Sequence, residues 1–101
     1  MGRLCLMKQS ALCTDAQIDS ELATLEGWRI EGGRLQKQFR FNTYLDGIRF
    51  VDRVALLAEE MNHHPDLHVT WRKVEFAVST HSAGGITALD FELARKVQAL
   101  L

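Results

Sequence analysis

Apolar residues recur first at helical and then at alternating spacing, and each change of period falls at a capping or turn residue. Thr14 and Gln17 have the spacing of a capping box, and Ile18, Leu22 and Leu25 follow at helical steps. This predicts a helix from Thr14 to near Gly27, with that stripe turned to the core. From Trp28 the period drops to two. Trp28 and Ile30, the Gly32-Gly33 turn, then Leu35, Lys37, Phe39 and Phe41 between polar neighbours predict a β-hairpin. Lys37 interrupts its apolar face, as expected of a strand only partly covered or near a sheet edge.

Asn42 or Thr43 can cap the next element, in which Leu45, Ile48, Val51, Val54, Ala55, Ala58 and Met61 recur at helical steps. This is the longest expected helix. Phe50 and Leu57 lie off that stripe, which predicts a second apolar contact, often another subunit in a small protein. Pro65 disfavours helical geometry at His64, so the helix should finish at or just before His63 and His64. Val69 and Trp71, then Val74, Phe76, Val78 and Thr80, predict a second hairpin that turns at Arg72-Lys73. Gly84-Gly85 marks a loop, and Thr87 and Asp90 form another capping-box spacing ahead of Leu89, Leu93, Val97 and Leu100.

The order αββαββα predicts an α+β fold, with a four-stranded antiparallel sheet and helices packed on one face. Bare sheet edges and leftover apolar helix surface favour self-association, as a homodimer or homotetramer. Residues 1–13 lack a sustained period and read as an N-terminal extension, free to be flexible, ahead of a single domain over 14–101.

Composition narrows the class. With 101 residues, 47% of them hydrophobic and 25% charged, the chain can build one core and has no room for a second. A net charge of −1 with interspersed signs gives no basic stripe, so no nucleic-acid partner is expected. Cys5 and Cys13 form no Cys-x-x-Cys pair, which argues against a disulfide framework or zinc knuckle and suits a reducing cytoplasm. The apolar run Leu4 to Met7 is too short for a signal-peptide core, and no stretch approaches the ~20 apolar residues of a membrane span. Met1-Gly2 does not extend to a myristoylation pattern, because Leu6 stands where Ser or Thr is needed.

Candidate chemistry centres on histidine. His63 and His64 fall where a helix ends before Pro65, and His81 falls where a strand gives way to the Gly84-Gly85 loop. Such element ends hold side chains at an exposed rim. The same positions also suit surface or capping histidines with no joint role. Glu59 and His63, four apart on a helix, could join His81 as a metal ligand set. No pair of histidines stands four apart on a helix, however, and no cysteine contributes, so no metal is expected. Ser79 and Ser82 flank His81 without a Gly-x-Ser-x-Gly elbow. Acid–base work remains, because imidazole titrates near neutrality and can both give and accept a proton.

Between Glu59 and Asp90 stand Glu-x-x-x-His-His-Pro, Val-x-Trp-x-x-Val, Ser-Thr-His and a Gly before Asp. With Gly27-Trp28, Lys37-Gln38-Phe39 and Arg53-Val54-Ala55-Leu56 upstream, the chain after about residue 14 resembles the pterin-4a-carbinolamine dehydratase family. The resemblance implies an enzyme that removes water from 4a-hydroxytetrahydropterin to give quinonoid dihydropterin, in tetrahydrobiopterin recycling. Its partner would be this small pterin, with no metal or redox cofactor. His63 and His81 are then the acid–base candidates, His64 positions or polarises the substrate, and Glu59 orients His63. Asn62, Pro65, Ser79, Thr80, Ser82, Ala83 and Asp90 would form the substrate-binding rim, although a helix cap alone explains Asp90. Trp28 matches a family tryptophan and also suits burial between helix and sheet.

Leu67 and Leu89 depart from the family pattern, where many relatives carry an aromatic and some a charge. Animal relatives also serve as a dimerisation cofactor of a hepatic transcription factor, and nothing in this chain identifies such a partner. The alternative reading is a non-catalytic binding or assembly protein on the same fold. His63 and His81, at element ends, are expected to be partly exposed and to change stability by no more than about ±0.5 kcal/mol on replacement.

Overall fold

The computed structural model describes residues 11–101, so the readings made on Met1 to Met7, Cys5 among them, lie outside the described residues. Helices α1 (Asp15–Leu22), α2 (Tyr44–Met61) and α3 (Ala88–Gln98) alternate with strands β1 (Arg29–Glu31), β2 (Arg34–Arg40), β3 (Asp66–Val69) and β4 (Lys73–Val78). The order is αββαββα, as the periodicity predicts. The strands form one antiparallel sheet in the order β1-β2-β4-β3. Cross-strand pairs Leu35↔Val78, Phe39↔Val74 and Leu67↔Phe76 put one apolar set on one face, and the core helices cover it. Gln36↔Ala77, Gln38↔Glu75 and His68↔Glu75 fall on the other face.

Both capping boxes form. Thr14 and Gln17 exchange bonds at the start of α1, and Thr87 and Asp90 do so at the start of α3, which satisfies N–H groups that the first turn leaves open. Thr43 caps α2 by accepting from the Asp46 N–H. α1 ends at Leu22, short of Gly27, and Leu25 is buried from the following turn.

Three expectations need correction. Lys37 does not mark an edge, because β2 pairs on both sides. Its Nζ leaves the core by donating to Gln98 Oε1 (2.7 Å) and to the Glu26 carbonyl (3.2 Å), 5.2 Å from the Phe39 ring centroid. The stripe on α2 has a different phase. Val54 and Ala58 of the expected stripe face the core and are joined there by Gly47 and Phe50, with Val51, Leu57 and Met61 packed against it. Leu45 and Ala55 are exposed instead, Leu45 at 57%. Phe50 takes the inner position because Phe39 and Phe41 lie beneath it, with centroids 4.7 and 5.1 Å away. Finally, Trp71 belongs to the β3–β4 turn and is 68% exposed. The turn closes where the Thr70 N–H donates to the Lys73 carbonyl at 2.9 Å, and the Arg72 guanidinium covers the Trp71 ring at 4.4 Å.

Phe50 is therefore the more sensitive probe of the core. Phe50→Ala is expected to lower the unfolding free energy by about 3–5 kcal/mol in urea titrations, against about 1 kcal/mol for loss of the cap in Thr43→Ala. Equal small effects from both would contradict the assigned phase of α2.

Candidate active site

α2 ends at Asn62, whose left-handed backbone (φ 50°) turns the chain out of the helix. The amide of His63 still donates to the Ala58 carbonyl at 3.0 Å, so His63 is tied to the last helical turn. Pro65 then starts the run into β3. Because Asp66 pairs with Ala77, the entry to β3 lies beside the exit of β4. That register sets the His63-His64-Pro65 corner beside the exit of β4 at Ser79 and Thr80, from which the 3₁₀ turn His81–Ala83 follows.

The centre of this corner is a carboxylate with no exposed surface. Asp90 Oδ2 accepts from the Thr87 backbone N–H (2.8 Å) and from the Thr80 hydroxyl (3.0 Å), and the two threonine hydroxyls lie 2.6 Å apart. Asp90 Oδ1 lies 2.6 Å from His63 Nε2. A carboxylate can only accept, so His63 donates through Nε2–H, and in the neutral ring Nδ1 is the acceptor nitrogen. The His63 side chain is 11% exposed. One residue thus caps α3 with one oxygen and orients an imidazole with the other.

The second pair is exposed. His64 Nε2 lies 2.6 Å from Glu59 Oε2, and both side chains are more than half open to solvent. Glu59 therefore orients His64, not His63 as the four-residue spacing implies. The reach is five residues because the chain has left the helix by His64. His81 is exposed on its short turn, and no described residue hydrogen bonds its ring.

Of the expected rim, Asn62 and Ser82 are exposed, and Pro65, Ser79 and Ala83 are half-buried. Thr80 and Asp90 lie beneath the rim, fully or almost fully buried, where they touch His63 or its support. His63 is likewise not the surface-like residue expected of an element end. Thr87 joins the site unforeseen. Its capping-box spacing is legible, but its hydroxyl contact with Thr80 depends on the chain returning from β4. Cys13 also lies near, since burial, then the Asp90 charge, then that of Glu21 push its thiol pKa up.

Glu59, His63 and His81 do not assemble as metal ligands, and among the described residues no three His, Cys, Asp or Glu side chains are grouped to hold a metal ion. A depression of about 380 Å³ on the open sheet face is lined by Gln36, Gln38, His68 and Glu75, and none of His63, His64 and His81 borders it. Among the described residues no helix is long and apolar enough to cross a membrane.

The two carboxylates should respond differently to removal. Asp90→Ala leaves the buried Thr87 amide and the His63 Nε2–H without their acceptor and is expected to cost about 3–5 kcal/mol of stability. Glu59→Ala breaks an exposed pair and should cost less than about 1 kcal/mol. Chemical denaturation of both variants checks this, and a tolerant Asp90 would contradict the buried network.

A family model described as Pterin 4 alpha carbinolamine dehydratase matches residues 11–100. A Mycobacterium tuberculosis protein provisionally named pterin-4-alpha-carbinolamine dehydratase is 47% identical over 90 residues, 89% of this chain and 96% of its own. A protein of the same provisional name from Mycolicibacterium smegmatis is 45% identical over 91 residues, 90% and 97% of the two chains. Among solved structures, a transcriptional coactivator/pterin dehydratase from Brucella melitensis superposes with a TM-score of 0.84 at 30% identity, covering 87% of this chain and 96% of its own. A pterin dehydratase-like protein described as a RuBisCO assembly factor in the alpha-carboxysome gives a TM-score of 0.64 at 28% identity, covering 75% and 90%. With nearly its whole described length matched in sequence and fold, the chain belongs to the pterin 4 alpha carbinolamine dehydratase family.

Proposed function

We propose that this protein dehydrates 4a-hydroxytetrahydropterin to quinonoid dihydropterin, as a step in tetrahydrobiopterin recycling. The observation that carries the proposal is the His63–Asp90 pair at 2.6 Å, held by Thr80 and Thr87, in a chain of this family. The reaction breaks the C4a–O bond and the N–H bond of the adjacent ring nitrogen, forms a C=N bond and releases water. One group must accept the nitrogen's proton and another must protonate the leaving hydroxyl. His63, with Nε2 committed to Asp90, offers Nδ1 as the acceptor. His81 delivers the proton to the leaving oxygen. His64, steadied by Glu59, faces the open side of the corner and polarises the substrate. Asn62, Pro65, Ser79, Ser82 and Ala83 border the pterin, while Thr80 and Asp90 act on it through His63. These residues account for both proton transfers, so the proposal calls for neither a metal nor a redox cofactor.

The proposal extends to assembly. Among the described residues β1 and β3 are the outer strands of the sheet, and α2 exposes Leu45 and Leu56 (57% and 67%), surfaces suited to a sheet-edge homodimer or a helix-packed homotetramer. Sedimentation at micromolar concentration should find no monomer; a monomer alone would refute this part.

The resemblance to an assembly factor gives the alternative, a non-catalytic binding or assembly protein. Turnover decides. On chelator-treated protein, His63→Ala and His81→Ala should each lower kcat per folded molecule by about 10²-fold or more. His68→Ala should leave it unchanged. His63→Ala should also lose stability, because it leaves the Asp90 carboxylate unpaired. A folded wild-type protein without turnover, or losses that only track the folded fraction, would shift the assignment to the assembly reading.

A further inference from the structure

His81 differs from the other two site histidines in having no side-chain partner among the described residues, where His63 has Asp90 and His64 has Glu59. Its position is therefore set by the backbone that carries it. That backbone is a small closed loop. The Thr80 N–H donates to the Gly85 carbonyl at 2.8 Å, and the Thr80 carbonyl accepts from the amides of Ala83 and Gly84, both at 3.0 Å. Gly84 completes the turn with φ +81°, a conformation that L side chains rarely adopt. The entry to the loop is fastened by the Thr80 hydroxyl on Asp90 and Thr87.

The exit is fastened from outside. The Cys13 N–H donates to the Ile86 carbonyl at 2.8 Å, and Leu12 forms an antiparallel bridge with Thr87. The Leu12 side chain lies over Gly85, with Cδ2 only 3.0 Å from where a Cβ on that glycine would stand. Ile86 and Thr87 are buried, so the segment that Leu12 and Cys13 hold is also anchored in the core.

We propose that Leu12 and Cys13 form a positioning strap for His81, fixing the exit of its loop so that an imidazole without a side-chain partner is still presented in one place. The inference rests on the reading of His81 as a proton-transfer group. A reacting group displaced by about 1 Å can lose a large share of its rate, so a loosened strap should appear in kcat. Neither residue need touch the substrate.

Full-length Cys13→Pro, which lacks the donating N–H, and Leu12→Gly, which uncovers Gly85, test it. Cys13→Ala, which keeps the N–H, is the conservative control. Amide exchange at Gly84 and Gly85, read by NMR, should quicken by about 10-fold or more in Cys13→Pro and Leu12→Gly. Their kcat per folded molecule should fall by about 10-fold with KM changed much less, and Cys13→Ala should retain both properties. Combining Cys13→Pro or Leu12→Gly with His81→Ala should add little to the loss from His81→Ala alone, because both changes remove the same contribution. Multiplicative losses, or unchanged exchange at Gly84 and Gly85, would overturn the strap. If Cys13→Pro does not fold, exposed Leu12 still allows the test in Leu12→Gly. If His81→Ala alone retains full turnover, the catalytic reading of His81 fails, and the exchange data separately decide whether the strap holds the loop.

Discussion

The site depends on one buried carboxylate. A charge with no access to water is tolerable only when polar partners replace its hydration, and Asp90 has three: the Thr87 amide, the Thr80 hydroxyl and the His63 imidazole. These partners come from the start of α3, the end of β4 and the end of α2. Their meeting fixes how two segments bearing candidate catalytic histidines approach one another. Helix capping, a local requirement of α3, is thereby coupled to the orientation of His63, 27 residues away. Loss of the carboxylate would damage the fold and the site together.

The remainder of the core sets the platform for that meeting. Trp28, Phe39, Phe76, Phe50 and Phe41 form a chain of ring contacts from the β1 end of the sheet to α2, with centroids 4.7–5.8 Å apart. Trp28 Nε1 and Lys37 Nζ both donate to Gln98 Oε1, which joins the end of α3 to the same sheet. α3 is thus held at its start by Asp90 and near its end by Gln98. A helix fixed at both ends keeps the Asp90 carboxylate in register with His63.

Element order, both capping boxes, the end of α2 and the histidine corner are legible in the amino-acid pattern because local spacing and turn chemistry decide them. The phase of α2 is not. Leu45 and Ile48 keep helical spacing with Val51, Val54 and Ala58 as well as Gly47 and Phe50 do, and the choice between them falls to Phe39 and Phe41, which only the folded sheet brings beneath Phe50. Gly47 also carries no side chain to announce an inner position. Trp71 continues the alternation of Val69, yet the hairpin turns before it, because Val69 pairs with Val74. Leu67, one of the departures from the family pattern, packs against the core and so reads as a packing change. The partner of His63 is hidden for a simpler reason. Glu59 is the carboxylate one helical turn before His63, but Asp90 reaches it in space only after β3 and β4 have folded back.

Fold likeness alone does not separate a dehydratase from an assembly factor, since solved relatives with each description share this architecture. The difference must be argued from side chains. Capping α3 requires only one oxygen acceptor at the position of Asp90, and a partly exposed carboxylate would serve at less desolvation cost. Full burial, with the second oxygen turned to His63, adds nothing to the cap. It does fix one ring nitrogen as donor and, in the neutral imidazole, leave the other as acceptor, which is what proton transfer requires and what a purely assembling surface has no need to specify.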